Sequence, residues 1–399
     1  NITADVLNQE YQIVTVPTGN SYTIVAKDTS GTTVTANASD TGNGGSSVVG
    51  AYQINVGLDT SVAGSGWGAG TWGRSTWGST ASLTAGTDIL RLWSHEDLLI
   101  NVRDGGIYYW DKSTSSAPFL RAVALSDRAG ADSTTPTIAK GVLVSDRDRH
   151  VIVFGCDAQN NIGVQDPMLI RFSDQEDPTV WQSTATNTAG DLRLGSGSEI
   201  ITATETRQQV LVFTDTAVYA MQFLGPPFTF GVNLISENIT IMAPNATKAV
   251  DDLVFWMGIE DFYIYNGQVQ KLPCTVRSYV FNDFNDAQAE KTFATLNSSF
   301  NEVWWFYPSA DSDEVDRYVV YNYLEKVWYY GNLARTAWVD RGINGYPRAT
   351  GTDHYTYNHE FGIDDGSTVP SQAVDSYIES SQIDIGDGDN FAFIRRLIP

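Results

Sequence analysis

The stretch LVFWMGIEDFYIYNG, residues 253–267, decides the fold. It consists of an apolar run, a short polar turn and an alternating aromatic run that ends in Asn266 and Gly267. β-Branched and aromatic residues on both sides of such a turn are typical of an antiparallel β-hairpin. The stretch therefore predicts two neighbouring strands of one sheet.

This hairpin pattern occurs six times along the chain. The other copies are LLINVRDGGIYYWD, VIVFGCDAQ leading to PMLIRFSD, VLVFTDTAVYAMQF, VWWFYPSADSDEVDRYVVYNY and DHYTYNHEFG. Equivalent aromatic residues in the six copies are 34 to 63 residues apart, with a mean of about 49, which is the range of four-stranded propeller blades and too uneven for a WD40 array. These aromatic residues are Tyr109, Phe172, Tyr219, Tyr263, Tyr321 and Tyr355.

Among all-β folds, the propeller best protects the exposed edges of such small sheets. A hairpin of this kind cannot bury both of its faces alone, and radial stacking of small sheets also protects their edges. The sequence therefore predicts an all-β fold, an irregular β-propeller of about six blades, together with a small N-terminal β-domain. A β-sandwich is the alternative fold.

The chain of 399 residues is longer than one hydrophobic core supports, so we expect more than one domain. Residues 1–60 are predicted to form the small β-domain, with a hairpin in YQIVTVPTGNSYTIVAK. Residues 61–85 form a Gly/Trp-rich connecting segment, and residues 86–399 form the propeller. One helix is predicted, over residues 282–296, after an Asn or Asp cap. Because the sequence starts without Met and ends on the strand-like FAFIRRLIP, we expect it to be incomplete at both ends.

The charge balance argues against tight binding of nucleic acid. The net charge is −23, from 47 acidic and 24 basic residues, so a general basic surface for gripping phosphate is missing. Cys156 and Cys274 have no metal-binding spacing and are predicted to be small buried hydrophobic residues. No apolar run reaches the roughly 18 residues of a membrane span, so none is expected.

The search for catalytic motifs gives only weak candidates. The sequence around His95 and Glu96 fails the zinc-protease pattern, and SDQEDPTVW is interpreted as a blade turn because Pro178 stands where an Asp-box turn needs Gly. The pairs at residues 251–252 and 364–365 could act as glycosidase carboxylates or be solvated turns. We therefore expect no enzyme and no cofactor. A weak calcium candidate is the group Asp384, Asp387 and Asp389.

Three Trp-Gly pairs mark the connecting segment. In GWGAGTWGRSTWGST the residues Trp67, Trp72 and Trp77 recur every five positions. Each Gly lets the chain bend, and each Trp supplies up to about 200 Å² of apolar area. The segment is predicted to dock with several anchors, either on the propeller of the same chain or on a neighbouring subunit. Stacking of sugars on the indoles is the alternative.

Several long phrases resemble a set of tailed-bacteriophage tail proteins. The resemblance covers residues 66–399 and rests on phrases that keep one order. The phrases are SDQEDPTVWQSTATNTAGDLRL, LGPPFTFGVNLISENITIMAPNA, LVFWMGIEDFYIYNGQVQKLPCTVRSYVF, NEVWWFYPSADSDEVDRYVVYNYLEKVWYYG and IDIGDGDNFAF. The chain is similar to the tail hub or nozzle of short-tailed phages, the tail tubular protein B type.

The resemblance implies a structural role in the virion tail. Copies would form a homo-oligomeric ring, usually a hexamer, below the portal and adaptor proteins and beside tail fibres or spikes. Double-stranded DNA would pass through the axial lumen without specific contacts during genome ejection. An acidic wall suits that passage. Lys or Arg side chains in the wall would pair with DNA phosphates and release the counterions of the DNA, which would hold the duplex in place. A β-propeller that binds or hydrolyses host surface polysaccharide is the alternative function.

Overall fold

The computed structural model describes residues 6, 11, 13–18, 21–28, 31–35, 87–91, 97–111, 122–145, 147–225, 228–343, 345–365, 370 and 372–373. The chain divides into two compact units, Asn1–Asn55 and Val56–Pro399. In the first unit, β1 (Ile13–Thr18) and β2 (Ser21–Ile24) form an antiparallel pair, in which the hydroxyls of Thr15 and Thr23 lie 2.7 Å apart. The predicted N-terminal hairpin is confirmed. The domain boundaries at residues 60 and 85 stay predictions.

The second unit contains five sheets of four or five strands. Sheet 1 has β3 (Thr87–Arg91), β4 (Leu98–Val102), β5 (Ile107–Trp110) and β6 (Val123–Ala124). Sheet 2 has β7 (Ala139–Val144), β8 (Val151–Ala158), β10 (Leu169–Phe172) and β11 (Gly190–Arg193), with β9 (Asn161–Gln165) paired to β8. Sheet 3 has β12 (Ile200–Glu205), β13 (Val210–Thr214), β14 (Ala217–Gly225) and β15 (Thr229–Glu237). Sheet 4 has β16 (Thr247–Val250), β17 (Leu253–Met257), β18 (Phe262–Tyr265) and β19 (Val269–Leu272). Sheet 5 has β20 (Phe293–Asn297), β21 (Glu302–Tyr307), β22 (Arg317–Asn322) and β23 (Val327–Asn332).

The described part continues with two smaller sheets. Sheet 6 has three strands, β24 (Ala337–Val339), β25 (Arg348–Thr350) and β26 (Thr356–Asn358). The strands β27 (Asp364–Asp365) and β28 (Gln372–Ala373) form a two-stranded pair. Five of the six repeated phrases lie on the central hairpins of sheets 1 to 5, and the last one contains β26.

The sheets are arranged as a β-propeller. The first strand of each sheet contacts the first strand of the next, in the order β3, β7, β12, β16, β20 and β24. Small sheets that pack one after another through their first strands are the radial architecture of a propeller, whereas a sandwich packs two sheets face to face. The all-β propeller with six sheets that the sequence predicts is therefore the fold of this unit.

The core lies between neighbouring sheets. One large group of buried side chains joins sheets 3, 4 and 5, and two smaller groups join sheet 2 to sheets 1 and 3. Trp256 and Trp305 are fully buried, and their indole nitrogens donate to the carbonyls of Thr240 and Ala246 at 3.2 and 3.0 Å. Each indole thus contributes apolar area and a satisfied hydrogen bond to the junction.

The predicted helix over residues 282–296 is wrong in its bounds. The helix α1 (Arg277–Asn282) ends where the prediction begins, and a 3₁₀ helix covers Asp286–Lys291. Asn285 caps that 3₁₀ helix, since its side chain accepts from the amide of Ala287 at 3.1 Å. The rest of the segment belongs to β20, because full pairing with β21 outweighs the helix propensity of these residues.

Both cysteines are free thiols; Cys156 is buried and Cys274 is half-buried. Burial raises the pKa of the Cys274 thiol to about 11. Cys156 fits its predicted role as a small core residue. Within the described ranges, no helix is long and apolar enough to cross a membrane.

Candidate functional site

A small cleft lies where the first strands of sheets 2 and 3 meet. It has a volume of about 220 Å³ and is lined by residues of β7 and β12, with Phe154, Pro244 and Asn245. Arg103, from the turn between β4 and β5, also lines the cleft. Residues from sheets 1 to 3, together with the connection between β15 and β16, therefore line it. Its size suits one small polar group and excludes a DNA duplex.

One residue that lines the cleft forms an ion pair. Lys140 on β7 pairs with Glu199, and only 12% of the Lys140 side chain is exposed. The first strands of sheets 2 to 6 carry only three charged residues, Lys140, Glu205 and Lys248. The acidic residues of these sheets therefore lie mainly away from the propeller axis.

Two carboxylates lie close together between sheets 5 and 6. The amide nitrogen of Asn297 donates to Glu360 at 3.3 Å and to Glu302 at 3.5 Å. Glu302 is buried and also accepts from Trp304 Nε1 at 2.9 Å and from the hydroxyl of Tyr329. Burial and the bond to Glu302 raise the pKa of Tyr329 well above its ordinary value. Because both oxygens of Glu302 accept hydrogen bonds, this carboxylate is a structural group that holds the junction.

An aromatic stack lies beside these carboxylates. The rings of Trp304 and Trp338 stack with centroids 5.5 Å apart, and His359 lies 4.5 Å from Trp338. Arg335 Nε donates to His359 Nε2 at 3.0 Å. Burial and the Arg335 charge together lower the pKa of His359 to about 4, so the imidazole is neutral at pH 7. The stack joins sheet 5 to sheet 6 with a neutral histidine.

The site residues predicted from the sequence are mostly not brought together. The Trp-Gly residues Trp67, Trp72 and Trp77 and the calcium candidates Asp384, Asp387 and Asp389 lie outside the described residues. The pair at 251–252 lies in an exposed turn between β16 and β17, where Asp251 pairs with Arg207. The pair at 364–365 forms β27. In the part of the chain that the structure describes, no three His, Cys, Asp or Glu residues are placed to hold a metal ion.

The segment SDQEDPTVW connects β10 to β11, as its interpretation as a blade turn predicts. The carboxylate of Asp174 accepts from the amides of Gln175 and Thr188 at 3.0 and 2.8 Å. These bonds lower the pKa of Asp174 against the effect of its burial. Asp174 therefore closes a turn in sheet 2.

Two outer surfaces expose large apolar side chains. The first, which we call the hairpin surface, comprises Leu224 at the end of β14 and Phe228 just before β15; Phe228 is 73% exposed and Leu224 is 60% exposed. The second, which we call the sixth-sheet surface, is on sheet 6 and the chain beside it; Ile343 is fully exposed and Ile363 is 84% exposed. Contiguous exposed apolar patches mark interaction sites, whereas single exposed apolar residues are ordinary on protein surfaces. The residues of the sixth-sheet surface are Val339, Ile343, Tyr355, Phe361 and Ile363.

Sequence reasoning missed both surfaces. Two signals were present in the sequence, the Pro-Pro pair just before Phe228 and the isolated apolar residues within the Gly- and Arg-rich stretch around Ile343. Their exposure could not be read from the sequence, because the same residue types also fill the core.

A buried histidine lies at the base of the hairpin surface. His150 Nδ1 donates to the carbonyl of Ser173 at 2.8 Å, and its ring lies 5.1 Å from Phe230 and 5.9 Å from Phe223. Its Nε2 is buried without a hydrogen-bond partner. Burial lowers the pKa of His150, although the acidic groups of Asp148 and Asp174 act in the opposite direction. His150 is therefore neutral at pH 7.

Acid is expected to destabilise the fold through His150. Its folded-state pKa is lowered, so below about pH 6.5 the unfolded chain binds a proton that the folded chain does not bind. The free energy of unfolding should therefore fall as the pH drops from 7.5 to 5. Urea unfolding at several pH values should give a shallower dependence for His150→Phe than for the unaltered chain. Equal slopes in His150→Phe and in the unaltered chain would contradict the assignment.

Comparison with known proteins gives a structural likeness without a family. No family model matches the chain, and no curated protein matches it. Among solved structures, Hsv2 of Kluyveromyces lactis is 11% identical with a TM-score of 0.38, over 76% of this chain and 85% of that one. The extracellular domain of a putative one-component system from B. thetaiotaomicron is 11% identical with a TM-score of 0.42, over 73% and 33% of the two chains. Similarity at this level carries nothing about function, and the fold stands on the sheets described above.

Proposed function

We propose that this β-propeller is a structural subunit of a bacteriophage tail, which forms a ring-shaped nozzle or hub through which the genome is ejected. The tail-protein phrases in residues 66–399 support the proposal. The observation that carries it is the strong exposure of apolar side chains at the hairpin of sheet 3 and on and beside sheet 6, which association of copies would remove from water. In a ring, neighbouring copies would cover both surfaces.

The conduit would lie between copies. The cleft near the axis of one propeller, at about 220 Å³, is far too small for a duplex. A ring of several propellers encloses a much wider lumen, with each chain as one segment of its wall. The net charge of −23 suits such a wall, because acidic residues form no lasting contacts with phosphate. A nozzle subunit needs neither catalysis nor a cofactor. It would lie in the virion tail, beside portal, adaptor and fibre or spike proteins.

The mass of the assembled protein tests the proposal. Native mass spectrometry and electron microscopy of the purified chain, and of virion tails that contain it, should show a closed ring, which we expect to be a hexamer. Rings should persist at raised salt, since apolar contacts are screened less than surface ion pairs. A protein that stays monomeric at all concentrations, and that is absent from tails, would refute the nozzle.

One observation favours a second candidate, a propeller that acts on glycans. Glu302 and Glu360 share the amide of Asn297 beside the stacked indoles of Trp304 and Trp338, and carboxylates next to indoles are common in sugar sites. Host polysaccharide should then bind the monomer, and Glu360→Gln should abolish binding or hydrolysis. Glu325→Gln, on an exposed turn of sheet 5, is the matched control. We rank this candidate second because Glu302 is buried with both oxygens occupied.

A further inference from the structure

We propose that the cleft between the first strands of sheets 2 and 3 binds a small organic anion, in which one carboxylate or phosphate group is attached to a compact apolar body. The inference goes beyond the proposed nozzle, because it concerns a site within each propeller. Three features of the cleft lead to it: the charges of its lining, the hydrogen-bond donors that the lining leaves available and the apolar wall beside them.

The charged groups that line the cleft are cations. Arg103 and Lys140 belong to the lining, and no Asp or Glu is among the described residues that form it. This is unusual in a chain whose net charge is −23. Glu199 pairs with Lys140 but is not part of the lining. A ligand in the cleft therefore meets positive charge, which favours an anion.

The ammonium group of Lys140 has donors to spare. Only 12% of this side chain is exposed, so water reaches it poorly. An ammonium group carries three N–H donors, and among the described residues Lys140 donates only to Glu199. Because poorly hydrated donors without acceptors are costly, an oxygen atom of a ligand would be stabilised there.

Two neutral polar residues, Thr202 and Asn245, complete the lining. Within the described ranges, neither side chain has a hydrogen-bond partner. Thr202 follows an irregularity in the pairing of β12 with β13, and such bulges often redirect side chains beside binding sites. Asn245 lies in the connection that leads into β16. Polar groups from several elements thus converge on one cleft, as in sites that orient a small ligand.

The rest of the lining is mostly apolar. Val142 and Leu143 of β7, Phe154 of β8 and Ile201 of β12 contribute to it. A bare inorganic ion would leave this wall in water, whereas a compact organic body would cover it. The volume of about 220 Å³ lies below the range of roughly 300–1,000 Å³ that is usual for drug-sized ligands. The cleft therefore suits a small organic anion.

Titration calorimetry with three matched probes tests the proposal. Benzoate and phenyl phosphate share a ring and differ in the anionic group, and benzyl alcohol is a neutral probe of similar size. At least one anion should bind, and benzyl alcohol should bind about 10-fold more weakly or worse. Tighter binding of benzoate would indicate a carboxylate ligand, and tighter binding of phenyl phosphate a phosphate ester. Absence of binding of both anions at millimolar concentrations, or equal binding of benzyl alcohol, would overturn the proposal.

Substitution of Lys140 assigns the binding to the cleft. Lys140→Met should weaken binding of the better anion by about 10-fold or more, because a charge-assisted hydrogen bond is lost. The matched control is Lys248→Met, since Lys248 also lies on a first strand, β16, but is not among the lining residues. The control should leave the affinity unchanged. Circular dichroism should show that both variants are folded.

A second variant closes the cleft without a change of charge. Gly141 lies on β7 in the lining, and a Cβ atom at this position would have no neighbour within 4 Å. A larger side chain can therefore enter the open space, and Gly141→Leu should abolish binding of both anions. This variant decides the question if Lys140→Met does not fold.

Glu199→Gln separates a ligand site from an ion pair that only supports the fold. Removal of the carboxylate beside Lys140 should strengthen anion binding by about 2- to 5-fold. A purely structural ion pair would give no such gain. Unaltered affinity in folded Lys140→Met or in Gly141→Leu, or the absence of a gain in Glu199→Gln, would overturn the assignment. These variants should not alter ring formation, so failure of the site leaves the nozzle proposal standing.

Discussion

Replacing Asp157 with alanine is expected to lower the free energy of unfolding of the propeller by about 3–5 kcal/mol. Asp157 is fully buried at the end of β8. Its carboxylate accepts from the amide and hydroxyl of Thr137, the hydroxyl at 2.6 Å, and from the amide of Gly163 at 2.8 Å. Alanine would remove the acceptor of these hydrogen bonds and leave a cavity at a fully buried position. Urea unfolding followed by tryptophan fluorescence should measure the change.

The buried Arg171 increases the destabilisation expected for Asp157→Ala. It is 1% exposed, donates to the carbonyls of Asp157 and Thr134 at 3.2 and 2.6 Å, and lies over the ring of Trp181. Burial lowers the pKa of Arg171, and the nearby carboxylate of Asp157 acts against that shift. Removal of Asp157 thus leaves a buried cation with less compensation. We expect Asp157→Ala with Arg171→Met to cost less than the sum of the single variants.

Two variants control this prediction. Asp157→Asn keeps one acceptor oxygen and should cost less than the alanine variant, while Asp311→Ala, in an exposed turn of sheet 5, should change stability by less than about 0.5 kcal/mol. Additive costs for Asp157→Ala and Arg171→Met would contradict the coupling between the two groups.

The sequence predicts the propeller well because the signal is local and repeated. Each phrase such as LVFWMGIEDFYIYNG contains both strands of a hairpin, so alternation and turn residues suffice to place it. The outer strands are less visible, since β19 and β23 have mixed polarity. The predicted helix failed at β20 because the partner of that segment, β21, follows only after the turn at Asn301, and propensity does not include that pairing.

The candidate sites were much harder to predict. Asn297, Glu302 and Glu360 come together only when sheet 6 packs on sheet 5, and nothing in their spacing indicates the contact. The apolar surfaces depend on which side chains are left uncovered, a property of the whole fold. Cys156 was predictable as a core residue because it lies inside an apolar strand.

Replacing Trp305 with alanine is expected to destabilise the propeller by about 3–5 kcal/mol. Trp305 is fully buried on β21, with its ring centroid 5.0 Å from Phe262 and 6.0 Å from Trp328. Its indole donates to the carbonyl of Ala246, just before β16, so one side chain fills the junction of sheets 4 and 5 and satisfies a backbone group there. Alanine would leave a cavity and remove one of the two hydrogen bonds to this carbonyl, which also accepts from the amide of Met257 at 3.1 Å.

The loss of unfolding free energy in Trp305→Phe separates the contribution of packing from that of the indole hydrogen bond. Phenylalanine keeps most of the packing and removes the indole donor, so the free energy of unfolding should fall by about 1–3 kcal/mol, from one lost hydrogen bond together with some lost contact. Leu324→Ala, at a position 66% exposed on the same sheet, should be nearly neutral in the isolated subunit. A Trp305→Ala chain with unchanged stability would contradict the role of this indole in the core.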